Sequence, residues 1–453
     1  MKKNIKQITL GTLAVLTLTV ANADPNVFRH ETSTKNGYST WDSDLINVER
    51  VTQTGQGVYV AVLDTGLVPN WRDYFPQRRI ATKLGRGFHQ NVVFKAKNDD
   101  PCGVEVEVGQ LRKTSWIGSQ ASSHGTHVTS TILGYFYRAN ADAAAGYVLP
   151  PIMIRGIAPE VTIIPVKVLS QYRVPSLPHC SSPGHSQAIV FGTDEMVAAG
   201  INYATDLALQ GYRPMVINMS LGGDELSAVE KNAIDRAVTN GVIVVAAAGN
   251  SGDAGMHYPG AYAPVISAGS AGWTKEWLNP NGTPPPPRYR LWWLQSPFFP
   301  WTDISEPTPA SEVYVSDFSS RELTGQQLDV LAPGSWVRGP FPGDPGYSHL
   351  PWHSNGIGDL KSHIGHANFF YVGGTSMATP HVASTAALLL QKNPNLNQAQ
   401  VENILKSTAL PIAPGSATVF DIVPTQAFVT NSWGANATGA GLIQADAAIS
   451  AVP

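Results

Sequence analysis

Two short runs, residues 58–63 and 242–248, are apolar at every position. A strand with one wet face alternates between apolar and polar residues. A strand that is apolar throughout must be covered on both faces, which is the condition of a parallel sheet held between helices. Residues 161–169, 215–219 and 265–268 read the same way. Helical stretches lie among them: residues 194–210, residues 226–240 closing on Gly241, and residues 376–391 closing before Pro394. This alternation predicts an α/β fold of three layers, with a mainly parallel central sheet and helices on both faces. The chain carries no internal repeat.

Four segments interrupt the alternation, at about residues 69–122, 135–153, 171–186 and 273–312. Loops of this length are usually functional or poorly ordered. The last holds Pro284 to Pro287 and the aromatics Trp273, Trp277, Trp292, Trp293, Phe298, Phe299 and Trp301. These side chains are expected to pack the loop onto the main domain; a substrate platform or an interface is the alternative. With 453 residues, 43% hydrophobic and 14% charged, the chain can bury a large core. A net charge of −3 and the absence of a Lys/Arg run argue against nucleic acid as a partner.

The N-terminus differs from the rest. Lys2, Lys3 and Lys6 precede an apolar stretch from Ile8 to Val20, and Ala21-Asn22-Ala23 offers small residues for a signal peptidase. The expectation is a signal peptide at residues 1–23, cleaved before Asp24, a short extension at 24–40, and a main domain at 41–453. The apolar stretch falls short of the ~20 residues that span a bilayer, so no stable membrane insertion is expected after cleavage. Export to the periplasm or medium makes Cys102 and Cys180 a candidate disulfide, with two separate thiols as the alternative.

Three small motifs carry chemistry. Asp64-Thr65-Gly66 directly follows the first buried run, which puts a carboxylate at the carboxyl end of a strand, where α/β folds build their sites. An aspartic protease would need a second such carboxylate, and the chain has no other Asp-Thr-Gly or Asp-Ser-Gly. His124-Gly125-Thr126-His127-Val128 comes next. A general base needs one imidazole fixed by a carboxylate on its other nitrogen. His124 is assigned that role, Gly125 is read as letting the backbone pass close to substrate, and His127 as a polar group satisfied on its own helix. Third is Gly373-Gly374-Thr375-Ser376-Met377-Ala378-Thr379-Pro380, opening an apolar helix. A serine there gains from unpaired amides and the positive dipole end, which favour an oxyanion; an ordinary N-cap is the plainer reading.

The order Asp, His, Ser and the residues around each resemble the subtilisin-like serine proteases, or subtilases. Further segments agree: Gly156-Ile157-Ala158-Pro159, Val166-Lys167-Val168-Leu169, Asn218-Met219-Ser220-Leu221-Gly222-Gly223 and Gly439-Ala440-Gly441-Leu442-Ile443. The resemblance implies a secreted endopeptidase in which Ser376 is nucleophile, His124 general base and Asp64 its orienting partner. It assigns Asn250, within Ala247-Ala248-Gly249-Asn250-Ser251, as the side-chain donor of the oxyanion hole. It implies that Ser220, Leu221 and Gly222 form an edge pairing with the substrate backbone, and that Ala248 and Gly249 wall the specificity pocket. His257 stands where many relatives carry a small residue, and is expected to narrow that pocket against large basic side chains. The Tyr258–Pro259 bond is expected to be cis. The resemblance implies protein or peptide substrates, no cofactor for the chemistry, and a monomer. Structural calcium is common in such proteins, yet no EF-hand-like ligand run is present. Residues 24–39 are too short to fold as the propeptide domain that most secreted relatives carry. A catalytically silent binding or adhesion protein on the same fold is the competing reading, with the aromatic segment at 273–312 as its supporting feature.

Overall fold

A computed structural model of the chain describes residues 33–97, 104–137, 152–174, 187–284, 292–294, 304–342, 352–353, 369–423 and 425–453. The expected signal peptide, Cys102, Cys180, Phe298, Phe299 and Trp301 lie outside these residues.

The first apolar run becomes strand β1 (Tyr59–Asp64), and its side chains divide by parity as a pleated strand requires. Val60 and Val62 enter one hydrophobic core, while Ala61 and Leu63 enter another on the opposite face. Around β1 stand β2 (Arg86–His89), β3 (Arg112–Thr114), β4 (Thr162–Lys167), β5 (Met215–Met219), β6 (Ile243–Ala247), β7 (Ile266–Trp273), β8 (Val313–Val315) and β9 (Val330–Pro333). They form a nine-stranded sheet in the order β8-β7-β6-β5-β1-β4-β2-β3, with β9 also pairing β7. All neighbours run parallel except β2 with β3 and β7 with β8.

Helix α1 (Ser123–Leu133) sends Val128 and Ile132 into the core that holds Val60 and Val62. Helices α2 (Asp194–Leu209) and α3 (Ala228–Thr239) cover the other face through Ile201, Ala204, Ile234 and Ala237. The side chains of Thr193 and Ser227 cap these two helices by accepting from Met196 N and Glu230 N, and each cap satisfies an amide with no intrahelical partner. Helix α4 (Thr375–Lys392) returns to the α1 face, where Ala386 and Leu390 join the same core. The result is the three-layer α/β fold expected. Among the described residues no helix is long and apolar enough to cross a membrane.

The first interrupting segment holds more regular structure than its sequence announces. Beyond β2 and β3 it contains a hairpin, Val92–Ala96 with Val104–Val108, whose Val-Glu-Val-Glu-Val strand is largely exposed. These strands are short and polar or alternating, so they lack the continuous apolar run that marked the central strands. Tyr38, before the expected main-domain boundary, bridges Ile154. In the aromatic segment Trp273, Trp277, Trp292 and Trp293 are buried, and Trp277 lies 5.0 Å from Trp292 and 4.6 Å from Tyr371, ring centre to ring centre. The Tyr258–Pro259 bond is cis, as are Arg213–Pro214 and Glu306–Pro307.

Candidate active site

Parity along β1 decides where Asp64 points. As the next even position after Val60 and Val62, it faces the layer of α1 and α4. Helix α1 meets it there: His124 lies four and eight residues before Val128 and Ile132, on the stripe that faces the sheet. His124 Nδ1 is 2.9 Å from Asp64 Oδ1 and 3.0 Å from Oδ2, and Asp64 is fully buried. Nδ1 donates to the carboxylate, which leaves Nε2 as the open nitrogen. Burial works against the imidazolium, but the charge and the hydrogen bond of Asp64 outweigh it and hold His124 above its ordinary range. His124 is 29% exposed, and it is the one residue of α1 that is not buried.

Gly125 serves this approach in a way different from the one expected. A Cβ on Gly125 would lie 2.5 Å from the Gly66 carbonyl and 3.1 Å from the Asp64 Cβ. The missing side chain lets the helix reach the end of β1; it does not face substrate. His127 also differs from expectation. Its Nε2 bonds the Val337 carbonyl at 3.1 Å, so it ties α1 to a distant strand instead of to its own helix. Its helix neighbour Ser130 takes the His127 carbonyl, and burial, the largest cause, pushes the His127 pKa down to about 3. His127 is therefore neutral.

Ser376 is the second residue of α4, behind an N-cap at Gly374, so it is not the cap. From residue 369 to residue 390 it is the one side chain that is not buried. Its own amide belongs to the first turn, where no intrahelical carbonyl is available. The register of β1 with β5 pairs Val62 with Asn218 and, continued by two residues, brings Ser220 beside Asp64. Ser220 and Ser376 then exchange bonds: Ser220 Oγ donates to the Ser376 carbonyl at 2.8 Å, and Ser376 Oγ donates to the Ser220 carbonyl at 3.3 Å. The first of these has a cause in the sequence. Pro380 has no N–H to give the carbonyl four residues before it, and Ser220 supplies the missing donor. No bond joins His124 to Ser376 among the described residues.

Asn250 follows β6 and is fixed from one side. Its Oδ1 accepts from Thr375 N at 2.8 Å and from Thr375 Oγ1 at 2.9 Å, which directs the Nδ2 donors away from Thr375. Thr375 also accepts from Gly249 N at 3.2 Å. The sequence motif contained Thr375 but gave it no task; its position between Gly374 and Ser376 was the available signal. Gly249 sits at φ 107°, a left-handed conformation natural to glycine, and a Cβ there would lie 2.7 Å from the His257 ring. His257 packs against Gly249 and Gly222, its amide donates to the Ala248 carbonyl at 2.8 Å, and its Nε2 lies 2.7 Å from Ser251 Oγ. Leu221 and Gly222 continue past the end of β5, with Gly222 exposed. The structure thus brings Ser220, Leu221, Gly222, Ala248, Gly249 and His257 together beside Ser376.

An α/β sheet with a carboxylate-bound imidazole and a helix-terminal serine at its carboxyl edge is the architecture of a serine hydrolase. The sequence profile of the subtilase family matches residues 55–441, and the chain belongs to that family. It is 32% identical to subtilisin DY of Bacillus licheniformis over 64% of this chain and 72% of that protein. It is 27% identical to subtilisin Savinase of Lederbergia lenta over 87% of this chain and 91% of that one. Among solved structures, the S41 psychrophilic protease shares the fold at a TM-score of 0.51 and 24% identity, covering 90% of this chain and 98% of that one. The protein is a serine endopeptidase.

Proposed function

We propose that this endopeptidase is exported and cleaves peptide bonds in protein substrates through Asp64, His124 and Ser376, with a covalent acyl-enzyme between two halves of the reaction. In the first half Ser376 Oγ attacks the scissile carbonyl while His124 Nε2 takes its proton. The attack requires a turn of the Ser376 side chain from the Ser220 carbonyl toward His124, a move between staggered rotamers. Asp64 keeps Nδ1 protonated and supports the imidazolium that forms. The tetrahedral oxyanion is received by Asn250 Nδ2 and the Ser376 amide. His124 then gives its proton to the leaving amine. In the second half water enters through the same base and the acid product leaves.

One observation supports this reading above the others. Asp64 holds His124 through two contacts, and His124 and Ser376 are the residues that reach solvent from two otherwise buried helical segments. Ser220, Leu221 and Gly222 receive the substrate backbone in this reading, and Ala248 and Gly249 line the pocket for the side chain preceding the cut. His257 fills part of that pocket, so large basic side chains are disfavoured; efficient cleavage after Arg or Lys in a peptide library would contradict this. The silent-binder alternative loses its supporting feature where the aromatic segment is described, because Trp277, Trp292 and Trp293 are buried and not displayed. No step needs a metal or cofactor, and structural calcium remains an expectation of the family resemblance alone. The protein is read as a monomer. The test is casein hydrolysis by the full chain beside Ser376→Ala: loss of cleavage in a folded variant supports the assignment, and retained cleavage contradicts it.

A further inference from the structure

A cleft of about 400 Å³ opens beside the His124–Asp64 pair, with Thr65 and Ser122, neighbours of the pair in sequence, in its wall. It lies at the carboxyl edge of β4 and β2, the side of β1 away from Ser220 and His257. Parity again decides what lines it. Val166 and Phe88 enter the core under α2, so Lys167 and His89 face the opposite side, the side of Asp64. Both are half-buried, and Ser170 Oγ joins them: it accepts from Lys167 Nζ at 2.5 Å and lies 3.1 Å from His89 Nδ1. Arg112 pairs with His89 in the register of β3 with β2.

Among the described residues the positive charge here, Lys167 in the wall and the exposed Arg112 opposite His89, has no counter-ion. The described residues lining the cleft include no Asp or Glu, and among the described residues Lys167, His89 and Arg112 form no ion pair. Burial alone lowers Lys167. Burial, then the charges of Lys167 and Arg112, lower His89. These causes favour the neutral His89 ring and leave Lys167 as the half-buried cation of the wall, bonded to a hydroxyl, an arrangement that is costly unless an anion completes it. Hydroxyls of Thr65, Ser122 and Ser170 add polar atoms around the same space.

We propose that this cleft is a substrate subsite for a carboxylate side chain, Asp or Glu, carried by the peptide close to the bond that Ser376 cleaves. Two inter-strand steps of ~4.8 Å separate β1 from β2, and an extended peptide advances ~3.3 Å per residue, so the acidic residue falls within about three positions of the cut. The inference rests on the protease reading above. Its substrate is an acidic peptide and not a free anion, because the cleft opens beside the catalytic pair.

The test uses the full-length enzyme with fluorogenic peptides carrying Glu or its neutral isostere Gln, placed in turn at each of the positions on either side of the cut. The wild type is expected to prefer Glu by roughly tenfold in kcat/KM at one position, the scale of a charge-assisted hydrogen bond. Lys167→Met and His89→Gln, each checked for folding by circular dichroism, should each bring that ratio toward unity, and either folded variant suffices. Equal rates for Glu and Gln at every position would overturn the proposal, as would a preference that both variants retain. Inorganic phosphate is added as a competitor. Relief of the Glu preference by phosphate supports the subsite, whereas equal inhibition of Glu and Gln peptides would make the cleft a free-anion site and overturn it. If the folded wild type cleaves no peptide at all, the protease reading itself fails, a result distinct from cleavage without selectivity.

Discussion

Ser220 Oγ donates to the Ser376 carbonyl at 2.8 Å, at the one place in α4 where a proline has removed the helix's own donor. Pro380 and Ser220 thus act as a pair: the proline frees a carbonyl, and the serine at the end of β5 uses it to fix the backbone of Ser376. Ser220→Ala leaves a buried acceptor unmet and should cost about 1–3 kcal/mol of stability. In a Pro380→Ala background the restored N–H can reach the same carbonyl, so Ser220→Ala should cost less. A double-mutant cycle by chemical denaturation measures this coupling, and additive losses would contradict it.

In the proposed mechanism Asp64 should set the pH dependence. Burial disfavours the His124 imidazolium, but the charge and hydrogen bond of Asp64 prevail and the pKa is raised from 6.5. In the proposed mechanism only the neutral ring can take the proton of Ser376, so activity should be absent below the raised value and appear as pH climbs through it. The acid limb of kcat/KM for an uncharged peptide should have its midpoint above 6.5. A midpoint at or below that value would mean that Asp64 does not govern the base.

Asn250 is held by Thr375 through its oxygen, so its nitrogen is aimed before substrate arrives. Asn250→Ala should lower kcat by about 10²–10³ with a smaller change in KM; that magnitude belongs to subtilisin and is carried over to this relative. Thr375→Val removes one of the two bonds to Asn250 and should give a partial loss of the same kind. Steady-state kinetics on one fluorogenic peptide separates the two effects.

A second titration lies away from the catalytic groups. Glu276 is buried between Trp273 and Tyr314, and burial pushes its pKa up to about 8 despite bonds from Ser335, the Trp273 amide and Tyr314. The folded state therefore binds this proton more tightly than the unfolded chain, whose carboxyl sits near 4.5. Its contribution is full below 4.5 and is lost as pH rises through about 8, with a total of a few kcal/mol. Glu276→Gln keeps the shape of the protonated form. Its thermal midpoint should fall less than that of the wild type between pH 6 and pH 9, read by circular dichroism; parallel decline would contradict the assignment.

Much of this site was legible because its parts are local. The all-apolar run before Asp64 announced a buried strand with a carboxylate at its end, and the residues around His124 and Ser376 stand in short contiguous motifs. The less legible parts are those made by distance. Nothing near Ser220 in sequence points to Pro380, and nothing near His127 points to Val337, which lies 210 residues away. β2 and β3 are not legible because three- and four-residue strands with polar side chains carry no periodic signal. The cleft of Lys167 and His89 needed the register of β4 and β2 before its charges could be seen to share one face.

A covalent label tests whether Ser376 is the nucleophile. The folded wild type is treated with a fluorophosphonate, digested, and mapped by mass spectrometry. One adduct is expected, on Ser376, absent after Ser376→Ala and lost in an Asp64→Asn variant. Labelling of a different serine, or none in an enzyme that still cleaves casein, would contradict this assignment.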